Sequence, residues 1–152
     1  MDFDARTDLG EHMVDKIEVN VDRQKLYAYT GSSVIREFDC VTGRIGKSTE
    51  PGIFTILRKH QKYVSKTYGA RMDYAMFFTT DGKAIHQSQL VWIRSMAMVY
   101  IGENVIGPIG SHGCVGLTEN DAKWLFGETP VGTIVEVLPA TPPPATSTPP
   151  VE

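Results

Sequence analysis

The stretch Lys16-Ile17-Glu18-Val19-Asn20-Val21, followed by Gln24-Lys25-Leu26-Tyr27-Ala28-Tyr29, decides the fold class of this chain. In the first run apolar and polar residues alternate, which is the pattern of a β-strand with one buried face. The polar residues Asp22-Arg23-Gln24 indicate a turn into the second run. We therefore predict that the folded part of the chain opens with a β-hairpin whose Ile17, Val19 and Val21 share one face.

Short apolar runs, separated by glycine and proline signals, continue along the chain. They predict further strands at about 34–41, 53–57, 74–79, 84–87 and 133–137. A glycine-rich loop at 42–47 and a polar, basic stretch at 59–66 interrupt this series. Thr118-Glu119-Asn120-Asp121 resembles a helix capping box, and Gly127 stands where the helix should end. The sequence therefore predicts a mainly β protein with one short helix.

The 152 residues suffice for one domain with a substantial core and are too few for two domains of ordinary size. We predict an N-terminal extension at 1–14, a folded domain at 15–138 and a proline-rich, disordered tail at 139–152. The segment 88–110 is too apolar for a simple solvated loop. It is predicted to add to the core, which its composition favours, or to close over a ligand as a lid.

The charge of the chain argues against one class of partner. A formal net charge of -3 at pH 7, without a basic cluster, is unfavourable for nucleic acid, because phosphate binding needs concentrated lysine and arginine. No apolar run approaches the roughly 18 residues of a membrane helix, so we expect a soluble chain without a transmembrane segment. The acidic start at 1–11 lacks the regions of a secretory signal peptide, which suits a mature exported domain and a cytoplasmic protein equally.

Cys114 is the strongest candidate for chemistry. It lies in Ser111-His112-Gly113-Cys114-Val115-Gly116-Leu117, just before the helix-start signal, and a histidine lies upstream in Ala84-Ile85-His86. A thiolate is the reactive form of cysteine, but an ordinary thiol with a pKa of about 8.5 is mostly protonated at neutral pH. An imidazole can activate it, as a general base or as a cation beside the thiolate, and a helix N-terminus can contribute.

The other cysteine, Cys40, lies in the strand-like stretch 37–41 and is expected to be a small buried core residue. Two cysteines are too few for a disulfide framework, so the core must hold the fold. A bridge between Cys40 and Cys114 stays open from sequence, although it would consume the proposed nucleophile.

Four segments in order resemble the landmarks of the L,D-transpeptidase catalytic domain, also called the YkuD family, of bacterial cell-wall enzymes. They are the opening hairpin at 17–31, Val41-Thr42-Gly43 with Ser48-Thr49-Glu50-Pro51-Gly52-Ile53-Phe54-Thr55-Ile56, Met72-Asp73-Tyr74-Ala75-Met76-Phe77-Phe78 running into Ala84-Ile85-His86, and Ser111-His112-Gly113-Cys114-Val115. The last segment is the specific one. The resemblance spans roughly 16–138 and identifies 15–138 as the catalytic domain.

The resemblance implies a β-sandwich-like L,D-transpeptidase fold with one short helix after the catalytic cysteine. It implies that Cys114 attacks the amide after the L-centre of a peptidoglycan stem tetrapeptide, that D-alanine leaves, and that the acyl group passes to an amine. His86 would be the base. Ser111, His112 and Gly113 would shape the cysteine loop, and backbone N–H groups around Gly113 and Cys114 would be candidate oxyanion donors.

The same resemblance implies an enzyme that needs no cofactor and no metal. A β-lactam of the carbapenem type would trap its thiolate and inhibit it. Its place of action would lie outside the cytoplasmic membrane, in the periplasm or cell wall, where peptidoglycan is found. Candidates for contacts with the stem peptide are Met72, Tyr74, Gln87, Arg71, Arg94 and Trp92.

Two features depart from the family pattern. Gly116 stands where most relatives carry arginine or asparagine, so any substrate contact of that side chain must be missing or supplied elsewhere. Arg71 and Arg94 are the predicted replacements. The spacing from His86 to Cys114 is also longer than in most relatives, which fits an inserted segment between them. The choice of acceptor is therefore left open.

Three alternative functions stay open from sequence. His86, His112 and Cys114 could be three ligands of a catalytic zinc ion, although their spacing is not a recognised ligand pattern. The chain could be a non-catalytic peptidoglycan-binding module in which Gly116 marks the loss of activity. Finally, water could take the acyl group, which would make the protein an L,D-carboxypeptidase or endopeptidase.

Overall fold

A computed structural model describes residues 13–43, 49–65, 69, 71–91 and 113–140. Within these residues the chain forms nine β-strands and a helix that follows Cys114. The strands are β1 (Lys16–Asn20), β2 (Lys25–Thr30), β3 (Ser33–Asp39), β4 (Gly52–Thr55), β5 (Arg58–His60), β6 (Ala75–Phe77), β7 (Ala84–Gln87), β8 (Val115–Leu117) and β9 (Ile134–Leu138), and the helix is α1 (Glu119–Glu128).

The predicted opening hairpin is confirmed as β1 and β2. Ile17 pairs with Ala28 and Val19 pairs with Leu26, and all four side chains are fully buried. This hairpin lies inside a five-stranded sheet with the order β3-β2-β1-β9-β4, in which β1 and β9 run parallel. The alternation of apolar and polar residues thus turns one face of the sheet to the core, as the sequence predicts.

The second sheet has the order β5-β6-β7-β8, and its last pair, β7 and β8, runs parallel. The predicted hairpin of β6 and β7 is confirmed. The polar stretch at 59–66 was not expected to contain a strand, yet β5 begins at Arg58 and pairs with β6. An edge strand tolerates charged side chains because one of its edges faces solvent. The guanidinium carbon of Arg58 lies 3.8 Å from the centroid of the Phe77 ring.

Several predicted strand and helix boundaries were wrong by one or two residues. The third strand ends at Asp39 rather than Val41, because Val41 leaves the first sheet and bridges to Gly116 beside the second. The helix does not end at Gly127 but continues to Glu128, with Thr129 in an extended conformation as its C-cap. The predicted start is confirmed: Thr118 is the N-cap, and its hydroxyl accepts a hydrogen bond from the backbone N–H of Asp121 at 3.4 Å.

One core joins both sheets and α1. Its buried members are Val14, Ile17, Val19, Leu26, Ala28, Phe38, Cys40, Ile56, Met76, Phe78, Ile85, Val115, Leu117, Ala122, Leu125, Val135 and Val137. Val14 belongs to this core and donates its N–H to the carbonyl of Glu128, so packing starts within the predicted extension 1–14. A smaller cluster of Met72, Ala75, Phe77 and Ala84 lies beside it, at the end of the second sheet where Cys114 is found.

Candidate active site

Cys114 lies directly before β8, at the edge of the smaller apolar cluster. Its side chain packs against this cluster and is partly buried. Its Sγ accepts a hydrogen bond from the backbone N–H of Ala84, the first residue of β7, at 3.4 Å. Both cysteines are free thiols and Cys40 is fully buried, so the Cys40–Cys114 bridge is not formed. The thiol is thus held at the start of two parallel strands.

Burial raises the pKa of the Cys114 thiol, because an apolar surrounding disfavours the charged thiolate. The N–H of Ala84 and the ammonium group of Lys83 act in the opposite direction, and burial is the larger effect. The resting cysteine is therefore predominantly a neutral thiol at neutral pH. Such a thiol needs a base to take its proton during attack.

One hydrogen bond fixes the tautomer of His86. The backbone carbonyl oxygen of Gln87 lies 2.5 Å from its Nδ1. A carbonyl can only accept a hydrogen bond, so Nδ1 carries the proton and Nε2 is the basic nitrogen of the neutral ring. Burial lowers the pKa of His86, and the Gln87 carbonyl opposes this only in part. The imidazole is therefore neutral and able to accept a proton at neutral pH.

Strand register relates His86 to the cysteine. In the parallel pair β7–β8, His86 lies opposite Gly116 and Ile85 lies opposite Val115. Cys114 directly precedes β8, and the N–H of Ala84, at the start of β7, donates to its sulfur, so Cys114 lies beside the start of the strand that carries His86. The tertiary structure thus brings the segments that carry the two residues onto neighbouring strands, across a long separation in the chain.

The backbone just before Cys114 is anchored by a threonine from another part of the chain. Thr49 is buried, and its hydroxyl donates to the carbonyl oxygen of Gly113 at 3.0 Å and accepts from the N–H of Gly43 at 2.9 Å. The neighbouring Thr42 is held in turn by the buried side chain of Gln24, which accepts from its N–H at 3.1 Å and donates to its hydroxyl at 2.7 Å. Residues on both sides of the connection between β3 and β4 therefore anchor the carbonyl of Gly113.

Gly116 is enclosed by Ser88 and by the backbone of Val41. A Cβ atom added to Gly116 would lie 2.5 Å from Cβ of Ser88, closer than real contacts allow, and 3.1 Å from its Oγ. Gly116 also exchanges two backbone hydrogen bonds with Val41, at 2.8 and 3.0 Å. The space next to its Cα is occupied by Ser88, so a larger residue does not fit beside Ser88 as it lies. Ser88 thus fills the space in which a side chain at position 116 would begin.

The predicted pocket residues have different surroundings. Met72 is buried in the cluster that Cys114 contacts, whereas Tyr74 packs its ring against Phe126 of α1, with ring centroids 5.7 Å apart. Gln87 donates its N–H to the carbonyl of Asp73 and orients His86 through its own carbonyl. Ser111, His112, Trp92 and Arg94, and the segment 88–110 beyond residue 91, lie outside the described residues.

Arg71, a predicted replacement for the side chain missing at Gly116, is paired with a neighbour. Its guanidinium lies 3.1 Å from the carboxylate of Asp73, and its side chain is 67% exposed. The described structure brings a different cation to the cysteine loop, Lys83. Sequence reasoning missed both Lys83 and Thr49. The available signal was their position next to motif residues: Lys83 lies in the turn before His86, and Thr49 lies shortly before Pro51.

Within the described ranges no three histidine, cysteine, aspartate or glutamate side chains cluster as metal ligands. His112, a member of the zinc set considered from sequence, lies outside those ranges. In the same part of the chain, no helix has both the length and the apolar character needed to cross a membrane.

Comparison with known proteins places this arrangement in a family. The chain is 26% identical over 125 residues to YciB of Bacillus subtilis (strain 168), a protein named for an inferred L,D-transpeptidase activity, and the match covers 80% of this chain and 64% of YciB. It is similar to the crystal structure of an L,D-transpeptidase from Stackebrandtia nassauensis, with a TM-score of 0.68 and 26% identity over 84% of this chain and 56% of that one.

A third similar structure is the carbamoyl enzyme that Ldtfm forms with avibactam, with a TM-score of 0.67 and 27% identity over 84% of this chain and 49% of that one. The chain therefore spans about half to two thirds of the length of these relatives. The L,D-transpeptidase catalytic domain family, YkuD, matches residues 14–137, and the chain belongs to this family.

Proposed function

We propose that this chain is an L,D-transpeptidase, a cysteine acyltransferase that acts on peptidoglycan stem peptides. The single observation that carries the proposal is the hydrogen bond between Nδ1 of His86 and the carbonyl of Gln87. It leaves Nε2 unprotonated, on the strand that pairs with β8 directly after Cys114. Membership of the L,D-transpeptidase family supports the same assignment.

The first half-reaction forms a thioester. His86 Nε2 takes the proton of the Cys114 thiol while Sγ attacks the carbonyl carbon of the L-centred residue. The negative charge that develops on the carbonyl oxygen needs N–H donors, and the backbone around Gly113 and Cys114 is the candidate source. The C–N bond then breaks, His86 returns the proton to the leaving nitrogen, and D-alanine departs.

The second half-reaction releases the enzyme. An amine of a second stem peptide attacks the thioester carbon, His86 accepts a proton from that amine, and the thiol of Cys114 is restored when the C–S bond breaks. We take an amine as the acceptor because the resemblance implies transpeptidation. Water in the same place would give hydrolysis, and the steps up to the thioester would not change.

Two further parts of the proposal follow from the family. A carbapenem should acylate Cys114, and the carbamoyl enzyme of Ldtfm with avibactam supports covalent capture at this kind of site. The site of action is outside the cytoplasmic membrane, in the periplasm or cell wall, because the stem peptides of peptidoglycan lie there.

Intact-protein mass spectrometry tests the nucleophile. Incubation with a carbapenem should add one inhibitor mass to the wild-type chain and to Cys40→Ala, which serves as the matched control because it removes the buried thiol. The adduct should be absent in Cys114→Ala and should form much more slowly in His86→Gln. An adduct of unchanged yield in Cys114→Ala would refute the proposed nucleophile.

Product analysis tests the reaction itself. A disaccharide tetrapeptide should yield D-alanine, a Cys114-linked acyl-enzyme and a cross-linked dimer. Free tripeptide without any dimer would identify water as the acceptor and would replace transpeptidation by carboxypeptidase activity.

A further inference from the structure

Lys83 lies across the backbone that carries the nucleophile. A Cβ atom added to Gly113 would meet its side chain at 2.5 Å from Cε, 3.0 Å from Cδ and 3.7 Å from Nζ. Gly113 has φ +111, a conformation that L side chains rarely adopt and that favours glycine. Because glycine has no Cβ, the lysine stem can occupy the space next to its Cα. The ammonium group therefore lies at the edge of the cysteine loop, one residue before Cys114.

The turn before β7 holds Lys83 in this position. The hydroxyl of Thr79 accepts the N–H of Lys83 at 2.8 Å and donates to the carboxylate of Asp81, and the carbonyl of Lys83 accepts from the N–H of Phe78 at 3.0 Å. The next residue, Ala84, donates its N–H to the sulfur of Cys114. The backbone on both sides of Lys83 is thus tied to the hairpin and to the nucleophile.

The ammonium group is available to a second anion. Its ion pair with Asp81 is long, at 3.6 Å, and the two side chains are 34% and 70% exposed. Pairs of this kind contribute little free energy because water screens them. A carboxylate that arrives in the site can therefore share or replace Asp81 at small cost.

We propose that Lys83 is a substrate-binding residue that recognises the carboxylate of the residue which Cys114 releases. This inference rests on the proposed function. In a stem peptide that ends in D-alanine, the terminal carboxylate is three bonds from the attacked carbonyl carbon, a span of about 4 Å. With the carbonyl carbon at Sγ of Cys114, that carboxylate lies within a few ångströms of the sulfur, and the Lys83 side chain lies against the preceding residue, Gly113.

Two observations support this role. The Lys83 ammonium group acts to lower the pKa of Cys114, while burial and the Asp81 carboxylate act to raise it. Gly116 offers no side chain for substrate, and Arg71 is already paired with Asp73. Among the residues that the structure describes, Lys83 thus supplies a cation beside Gly113. It would make the enzyme selective for peptides with a free terminal carboxylate.

The test compares two donor peptides, a tripeptidyl-D-alanine and the same peptide with a terminal D-alaninamide. Wild type should release the leaving group from the acid with a kcat/KM about tenfold higher than from the amide, because a charge-assisted contact is lost in the amide. Lys83→Met should lower the acid reaction more than the amide reaction, so that the ratio of the two kcat/KM values falls to about one. Lys83→Arg should keep the preference, and Lys62→Met serves as a surface control.

Three results would overturn the assignment. The first is that wild type reacts equally with the acid and the amide. The second is that Lys83→Met slows the reactions of both peptides by the same factor. The third is that Lys83→Met slows alkylation of Cys114 by iodoacetamide as much as it slows both peptide reactions, which would mean that the lysine acts on the thiol alone. Mass spectrometry separates these results from a failure of the proposed function. If wild type forms no acyl-Cys114 with either peptide, the transpeptidase assignment fails and the role of Lys83 falls with it.

Discussion

The hydroxyl of Thr49 donates a hydrogen bond of 3.0 Å to the carbonyl oxygen of Gly113, and this bond joins the segment before β4 to the residue that precedes Cys114. The carbonyl of Gly113 and the N–H of Cys114 belong to one planar peptide group and point in opposite directions. Fixing the carbonyl therefore also fixes the direction of the Cys114 N–H and the position from which its side chain starts. Thr49 is in this sense a positioning residue.

Replacement of Thr49 by valine should slow acylation more than it lowers binding. Valine has a similar shape but neither donates to Gly113 nor accepts from Gly43, so the loop loses its anchor. We expect the rate constant of carbapenem acylation to fall about ten- to a hundredfold, with stability lower by about 1–3 kcal/mol. Thr49→Ser keeps the hydroxyl and should restore most of the rate. Equal rates in the valine and serine variants would show that the hydroxyl does not position the loop.

The packing of Gly116 against Ser88 predicts a pair of coupled substitutions. Gly116→Asn should lower the free energy of unfolding by about 1–3 kcal/mol, because its Cβ collides with Ser88. Ser88→Gly in the same chain should remove that collision and recover most of the loss. Chemical denaturation of the two single variants and the double variant gives the coupling energy. Strictly additive effects would contradict the proposed contact.

The opposite pKa shifts of His86 and Cys114 predict the pH dependence of acylation. Burial lowers the pKa of the imidazole and raises that of the thiol, so the resting pair is neutral rather than a thiolate and an imidazolium. As pH falls through the lowered pKa of His86, the ring becomes protonated and can no longer act as base. The acid limb of the rate profile should therefore have its midpoint below about 6.5, the ordinary value for histidine.

Alkylation of the thiol gives an independent measure of the same pair. In a Cys40→Ala background, the reaction of Cys114 with iodoacetamide should rise with a midpoint above about 8.5, the ordinary value for cysteine. A midpoint near neutral pH would show that the resting enzyme holds a thiolate–imidazolium ion pair. His86→Gln should abolish the acid limb of acylation while leaving the cysteine midpoint largely in place.

Lys59 predicts an effect on stability without an effect on chemistry. Its ammonium group donates to the carbonyl oxygens of Phe126 and Thr129, each at 2.6 Å, at the C-terminal end of α1. These carbonyls have no partner within a helix and need an external donor. Lys59→Met keeps the aliphatic stem but removes the donor, and should cost about 1–3 kcal/mol of unfolding free energy.

Thermal unfolding measures this loss against Lys62→Met, which removes an exposed lysine from the next turn and should leave the melting temperature nearly unchanged. The rate of Cys114 acylation at 25 °C should be the same in both variants, because Lys59 caps the end of α1 that is farther along the chain from Cys114. A melting temperature of Lys59→Met equal to that of wild type would contradict the capping role.

Much of the fold could be predicted because its signals are local. The alternation at 16–29 specified the first hairpin, the turn between the apolar runs specified β6 and β7, and Thr118 specified the start of α1. Each of these patterns is read within a few residues of chain. The edge strand β5 was not predicted, because its charged residues are typical of a loop and only the pairing with β6 shows that it is a strand.

The candidate catalytic residues could likewise be named from sequence, because Cys114 and His86 both lie in recognisable motifs. Their relation could not. The pairing of β7 with β8 places His86 opposite Gly116, and the carbonyl of Gln87 selects the tautomer. Thr49 at Gly113, Lys83 across the same glycine and Ser88 against Gly116 were also decided by tertiary structure alone. Hydrogen bonds and van der Waals contacts act over a few ångströms in space, and sequence separation carries no information about which distant residues come within that range.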